Sequence, residues 1–210
     1  MILLGRGEVG KSSLIKTFIL NNPFKMQSRT KFDYYNETFQ IPDGSHVNVE
    51  ILDTGGQEIY NALNRQYYRR ADCCVLVYDI TNEDSFKECK NYYHKEIINN
   101  CKKDIKVILV GNKTDLEDKR KVKKEDGVKL AEKYNYYFKE TSCEKNYGVA
   151  DVFETIILMT HNDMVKNGQF NYDKKENLDM EPTKSPTIRS QSFSLSKGKK
   201  VKKDEKKKCC

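Results

Sequence analysis

Tryptophan is absent from this 210-residue chain, and proline and histidine are scarce, with four and three copies. No apolar run approaches the roughly 18 residues of a membrane-spanning helix, and the opening MILL is far too short for a secretory signal peptide. The seven cysteines show no C-x-x-C spacing and the histidines stand alone, which disfavours a disulfide framework and a zinc site. We therefore expect a cytosolic protein with free thiols.

Charge is distributed unevenly and marks a domain boundary. Residues 1–170 carry a net charge of +1, whereas the last 40 residues carry +6. From Gly168 onward the chain is polar, rich in serine and holds two of the four prolines. Such a segment cannot bury enough apolar surface to offset the entropy lost on ordering. We predict a folded domain over residues 1–167 and a disordered tail over 168–210.

The stretch GRGEVGKSS matches the phosphate-binding pattern G-x-x-x-x-G-K-[ST]. Glycines in this pattern let successive backbone N–H groups converge on phosphate oxygens. Lys11 would reach the β- and γ-phosphates, and the Ser12 hydroxyl would be a ligand of Mg²⁺. This loop alone does not choose between ATP and GTP. The residues predicted to contact nucleotide here are Glu8, Val9, Gly10, Lys11, Ser12 and Ser13.

Strand and helix patterns alternate along the chain, which predicts an α/β fold with a six-stranded, mostly parallel sheet and about five surrounding helices. The turn signal Asp43-Gly44 makes the second and third strands an antiparallel pair. The predicted strands are 1–4, 32–41, 46–52, 73–78, 105–110 and 136–139. The predicted helices are 11–21, 60–68, 84–101, 124–134 and 148–165.

Three further motifs follow predicted strands, where an open α/β sheet binds its ligands. They are DTGGQE at 53–58, NKTD at 112–115 and TSCEK at 141–145. With the phosphate loop, and in this order, they resemble the Ras superfamily of small GTPases over residues 1–165. The resemblance implies the P-loop small GTPase fold, GTP or GDP as ligand, and Mg²⁺ as cofactor. It disfavours an ATP-using P-loop enzyme.

The resemblance also implies roles for residues near the base. Asp115 would accept hydrogen bonds from N1–H and the 2-amino group of guanine, a pattern that adenine cannot present. Asn112 and Lys113 would pack the base and brace the loop. Ser142, Cys143 and Glu144 replace the family's Ser-Ala-Lys beside the base. Phe24 is the expected aromatic neighbour, although it stands one position nearer to the switch threonine than is usual.

The predicted switch rests on spacing in the family. Thr30 lies 18 residues after Ser12 and 23 before Asp53, as the switch threonine does in relatives. By resemblance, Thr30 and Ser12 would bind Mg²⁺ directly and Asp53 would hold it through a water. The Gly56 N–H would touch the γ-phosphate, and Gln57 would orient the attacking water. Loss of the γ-phosphate would release both segments.

The stretch from Tyr67 to Phe86 and the ending KKKCC resemble the Rab branch. The resemblance implies prenyl groups on Cys209 and Cys210, reversible attachment to the cytosolic face of an intracellular membrane, and a role in vesicle trafficking. It implies a monomer whose partners are an exchange factor, an activating protein, prenyl escort and dissociation-inhibitor proteins, and effectors. The lysines of the tail would add attraction to anionic lipid. A solvated tail or a nucleic-acid patch is the alternative, which the paired cysteines disfavour.

Several residues depart from the Rab pattern. Lys31 and Phe32 replace the Ile-Gly that usually follows the switch threonine, and Gly55 replaces alanine in the DTAGQ motif. Relatives carry several residues before the first strand, so we interpret MILL as a shortened start. Two hypotheses stay open: a slow GTPase switch that waits for an activating protein, and a nucleotide-bound scaffold with little hydrolysis or switching.

Overall fold

The computed structural model describes residues 1–20, 33–54 and 61–169, and all of them belong to one compact unit, Met1–Asn171. The predicted boundary at residue 167 stays a prediction. Six strands are β1 (Ile2–Leu4), β2 (Asp33–Gln40), β3 (His46–Asp53), β4 (Cys73–Asp79), β5 (Lys106–Asn112) and β6 (Tyr137–Glu140). The α-helices in these ranges are α1 (Lys11–Leu20), α2 (Asn61–Arg70), α3 (Glu83–Glu88), α4 (His94–Asn100), α5 (Lys124–Tyr134) and α6 (Val149–Lys166).

The strands form one sheet in the order β2-β3-β1-β4-β5-β6, and every pair except β2 with β3 is parallel. This arrangement confirms the predicted fold class. The antiparallel pair turns at Gly44, whose φ of 86° suits glycine, and the Asp43 carboxylate accepts a hydrogen bond from the Ser45 backbone N–H at 2.8 Å. Because the other five strands run the same way, their carboxyl ends share one edge of the sheet.

Apolar side chains pack on both faces of the sheet. On one face, Leu3, Val77 and Val110 pack with residues of α1 and α6 such as Leu14 and Phe153. The opposite face forms a second cluster with residues of α2, α4 and α5; its members include Leu76, Leu109, Tyr68, Ile97 and Leu130. The parallel strands β1, β4 and β5 are therefore buried on both sides, as their near-continuous apolar sequences predict.

Two stretches differ from the predicted helices. The expected single helix over 84–101 is interrupted by a π-helical turn, Cys89–Tyr93, between α3 and α4. It also begins one residue early, because the Asn82 side chain accepts hydrogen bonds from the backbone N–H groups of Asp84 and Ser85. A second unpredicted element consists of 3-10 turns over Thr114–Lys119, which begin at the threonine of NKTD.

The five cysteines inside the described ranges are all free thiols, four of them buried, as predicted. In the same ranges no group of three or more His, Cys, Asp or Glu side chains is arranged to hold a metal ion. No helix among the residues that the structure describes has the length and apolar character needed to cross a bilayer.

Candidate nucleotide-binding site

The phosphate loop joins β1 to α1 at the carboxyl edge of the sheet. Gly5 has a φ of 140° and lies so close to β4 that a Cβ built on it would be 2.2 Å from the Val77 carbonyl oxygen. The Lys11 side chain is buried, and its ammonium donates hydrogen bonds to the carbonyl oxygens of Gly5 at 2.6 Å and Arg6 at 2.9 Å. The loop therefore curls around its own lysine.

Glu8 occupies a strained position in this loop. Its φ of 70° places a non-glycine residue in the left-handed region, and its side chain is exposed. An exposed carboxylate is screened by water, so its repulsion of a phosphate is weaker than that of a buried one. The acid in the loop is thus compatible with an anionic ligand, as its backbone N–H can point inward while the carboxylate faces solvent.

Asn112 connects the phosphate loop to the two other motifs of the site. Its Nδ2 donates a hydrogen bond to the Val9 carbonyl oxygen at 2.9 Å, and its Oδ1 accepts one from the Thr141 hydroxyl at 3.0 Å. A Cβ on Gly10 would lie 2.4 Å from the same Nδ2. Because Asn112 is buried and bonded on both sides, its side chain holds the phosphate loop and the start of TSCEK to the end of β5.

Asp115 and Ser142 are joined by a hydrogen bond between their side chains. The Ser142 hydroxyl donates a 2.6 Å hydrogen bond to Asp115 Oδ1, and it also accepts one from the Lys145 backbone N–H at 3.1 Å. These bonds fix the orientation of the carboxylate. Lys113, in the left-handed region with a φ of 71°, forms a 2.8 Å ion pair with Asp79 at the end of β4.

Arg120, which none of the sequence motifs contains, connects two segments beside the NKTD and TSCEK motifs. Its guanidinium donates to both carboxylate oxygens of Glu140, at 2.7 and 3.2 Å, and to those of Glu117 at 2.7 and 2.8 Å. Glu140 ends β6 directly before Thr141, so this fork ties the segment after NKTD to the segment before TSCEK. Arg120 directly follows the 3-10 turns and Glu117 lies within them, so no sequence pattern joined these residues to Glu140.

Cys143 and Glu144 differ in exposure. Glu144 is exposed, whereas Cys143 is buried with its thiol 3.8 Å from Asn112 Oδ1. Burial raises the pKa of the Cys143 thiol to about 11. The thiol is therefore protonated at neutral pH and behaves as a small apolar group, in the place where relatives have alanine.

We expect Cys143 to react with iodoacetamide roughly 100-fold more slowly than an ordinary thiol at pH 8. The reason is that only the thiolate reacts, and a pKa near 11 in place of 9.0 lowers the thiolate fraction by about that factor. Peptide mapping by mass spectrometry gives the rate at this position. The control is the same chain in guanidinium chloride, and equal rates in folded and denatured protein would contradict the expectation.

The magnesium side of the site is described in part. Asp53 ends β3, is fully buried and pairs in register with Leu3 of β1, two residues before the phosphate loop. Thr54 donates a hydrogen bond to the Leu3 carbonyl oxygen at 3.0 Å and fixes this strand end. The carboxylate of Asp53 and the hydroxyl of Ser12 are the hard oxygen donors that Mg²⁺ prefers, so these residues fit the ion. Lying outside the described residues are the predicted site positions Phe24, Thr30, Gly56, Gln57, Cys209 and Cys210.

The sequence matches one protein family along most of its length. The matching family model is that of the Ras family, and it covers residues 1–162. The chain belongs to the Ras family. It is 34% identical over 196 residues to Ras-related protein Rab-8A of Bos taurus, covering 92% of this chain and 93% of that protein. Rab-8A of Pongo abelii matches with the same identity and coverage.

A second relative comes from the Ras side of the family. Ras-like protein 1 of Saccharomyces cerevisiae (strain ATCC 204508 / S288c) is 36% identical over 192 residues, covering 89% of this chain and 61% of that protein. The chain thus spans less than two thirds of this relative. As a Ras-family member it is a Rab-like small GTPase, which hydrolyses GTP to GDP and phosphate. The part played by each residue stays a prediction.

Proposed function

We propose that this protein is a Rab-like switch that cycles between GDP and GTP states. The observation that carries the proposal is the position of Asn112, which is hydrogen-bonded to the phosphate loop at Val9 and to the TSCEK motif at Thr141. One buried side chain thereby connects the loop after β1 with the TSCEK segment at a common edge of the sheet. Such an edge fits a nucleoside phosphate that spans both loops.

Guanine is the base that the proposal assigns. The Asp115 carboxylate, oriented by the Ser142 hydroxyl at 2.6 Å, would accept hydrogen bonds from N1–H and the 2-amino group. The backbone N–H of Cys143 would meet the guanine oxygen, and Glu144, being exposed, would stay at the rim of the site. Adenine offers neither donor pattern nor oxygen, so it would leave the carboxylate unsatisfied.

The phosphates would lie over the backbone N–H groups from Glu8 to Ser13, at the start of α1, where the helix dipole favours anions. Lys11 would exchange part of its bonding to loop carbonyls for the β- and γ-phosphates. Ser12, Thr30 and, through water, Asp53 would hold Mg²⁺, which would neutralise part of the negative charge of the phosphates. Gln57 would orient the water that attacks the γ-phosphate.

The switch itself would depend on Thr30 and the Gly56 N–H, whose contacts with the γ-phosphate end on hydrolysis. The intrinsic hydrolysis of GTP would be slow, and an activating protein would accelerate it, in related systems by about 10⁵-fold. The alternative is a nucleotide-bound scaffold, favoured by Lys31, Phe32 and Gly55 in the switch segments. The switch and the scaffold differ in one testable respect: only the switch requires Gln57 for the hydrolysis of GTP.

Gln57→Leu is expected to slow single-turnover GTP hydrolysis by roughly 10- to 100-fold, because leucine cannot orient the water. The protein is purified with Mg²⁺, its bound nucleotide is identified by chromatography, and one turnover of loaded GTP is followed with time. Gln40→Leu, which makes the same change at the exposed end of β2, is the control. Equal hydrolysis by wild type and Gln57→Leu would reject the switch in favour of the scaffold.

The tail would place the switch on a membrane. Prenyl groups on Cys209 and Cys210 would supply two anchors, which bind a bilayer far more firmly than one. The lysines from Lys197 to Lys208 would each add about 1 kcal/mol of binding free energy near an anionic leaflet. The proposal includes a cytosolic-face location, a role in vesicle trafficking, and the expected exchange factor, activating protein, prenyl escort, dissociation inhibitor and effectors.

A further inference from the structure

Arg6, the second residue of the phosphate loop, forms an ion pair with a residue far along the chain. Its Nη1 lies 2.8 Å from Oε1 of Glu88, 82 residues away. The side chains are 43% and 32% exposed, so the pair is partly shielded from water. The ion pair therefore connects the phosphate loop to the carboxyl end of α3.

The same residue is held at its backbone. The Arg6 carbonyl oxygen accepts a hydrogen bond from the Lys11 ammonium at 2.9 Å, beside the bond to Gly5. Arg6 is thus bonded to Glu88 through its guanidinium and to Lys11 through its carbonyl. The Arg6 carbonyl is therefore one of the acceptors that hold the Lys11 ammonium.

The residue after α3 contacts the same carbonyl of β4 as the phosphate loop does. The Cys89 thiol donates a hydrogen bond to the Val77 carbonyl oxygen at 3.6 Å, the oxygen that lies 2.2 Å from a Cβ built on Gly5. Cys89 also begins the π-helical turn, an irregularity found often at functional sites. Gly5 of the phosphate loop and Cys89 therefore both lie against the Val77 carbonyl oxygen, and Glu88 is the residue directly before Cys89.

We propose that Arg6 is a positioning residue and that Glu88 is its anchor: their ion pair fixes the carbonyls that direct Lys11, and so slows nucleotide release. The inference rests on the proposed function, since it concerns the same phosphate site. Partly exposed ion pairs contribute modestly, so the expected effect of breaking this one is about a two- to fivefold faster release.

Glu88→Gln tests the proposal through the sign of its effect. If Arg6 acted on the phosphates by charge alone, removing a carboxylate near them would slow release; positioning requires that release becomes faster. The measurement is dissociation of fluorescent mant-GDP from the Mg²⁺-loaded full chain. Glu83→Gln is the matched control. It breaks an exposed ion pair on the same helix, in which Glu83 Oε1 lies 3.0 Å from Lys87 Nζ.

A double-mutant cycle completes the test. Arg6→Gln alone should also accelerate release, Arg6→Lys should restore most of the wild-type rate, and Arg6→Gln with Glu88→Gln should release no faster than the faster single variant. Release from Glu88→Gln at the wild-type rate or slower, or fully additive effects, would overturn the proposal. A wild-type chain that binds no mant-GDP would instead overturn the proposed function, and this inference with it.

Discussion

Asp115→Asn should lower the affinity for GDP by roughly 10²- to 10⁴-fold. Two hydrogen bonds from guanine to a carboxylate contribute about 1.5–3 kcal/mol each, and the amide would present its N–H₂ to the guanine amino group. The Ser142 hydroxyl can still donate to the remaining amide oxygen, so the loop keeps its shape. The loss of affinity for GDP would therefore come from weaker recognition of the base and not from a change in the shape of the loop.

Xanthine nucleotides provide the complementary measurement. Xanthine carries an oxygen in place of the 2-amino group, so Asp115→Asn should bind XDP more tightly than it binds GDP, reversing the wild-type order. Titration of both nucleotides gives the two affinities. Asp118→Asn, a matched change at an exposed position three residues on, should leave the order unchanged. An Asp115→Asn protein that keeps its preference for GDP would remove Asp115 from base recognition.

Most strands could be predicted from the sequence because β1, β4 and β5 are almost entirely apolar and β2 and β3 are joined by a strong turn signal. For example, β4 is buried along its whole length, and Asp43-Gly44 forms the expected hairpin turn. The π-helical turn at Cys89–Tyr93 could not be predicted, since one inserted residue hardly changes the apolar periodicity of an 18-residue helical stretch.

Within the site, motifs identified the loops but not the bonds between them. Asn112 and Lys11 were predictable because both belong to motifs with fixed spacing. Their partners depend on which residues the folded sheet brings together. The ion pair between Arg6 and Glu88 spans 82 positions, and that separation leaves no periodic or local signal in the sequence. The fork of Arg120 is a similar case, because Glu140 lies 20 positions further along the chain, at the end of β6.

Gly5→Ala should destabilise the folded chain by about 3–5 kcal/mol. The new Cβ would lie 2.2 Å from the Val77 carbonyl oxygen, a backbone atom that the central strand β4 holds in place. The φ of 140° adds strain for any residue with a side chain. Because Gly5 also carries one of the two carbonyls that hold Lys11, any folded fraction should bind nucleotide more weakly.

Gly44→Ala separates the two sources of this loss. Gly44 also has a positive φ, 86°, but nothing lies within 4 Å of a Cβ built there. Gly44→Ala should therefore lower the free energy of unfolding by only about 1–2 kcal/mol, because alanine is strained in the left-handed backbone region. Urea unfolding of the three proteins without nucleotide gives the free energies, provided that the slope of each transition is unchanged. Equal losses at the two glycines would mean that the loop moves away from β4 at little cost, and that the close contact of Gly5 with Val77 does not fix the phosphate loop.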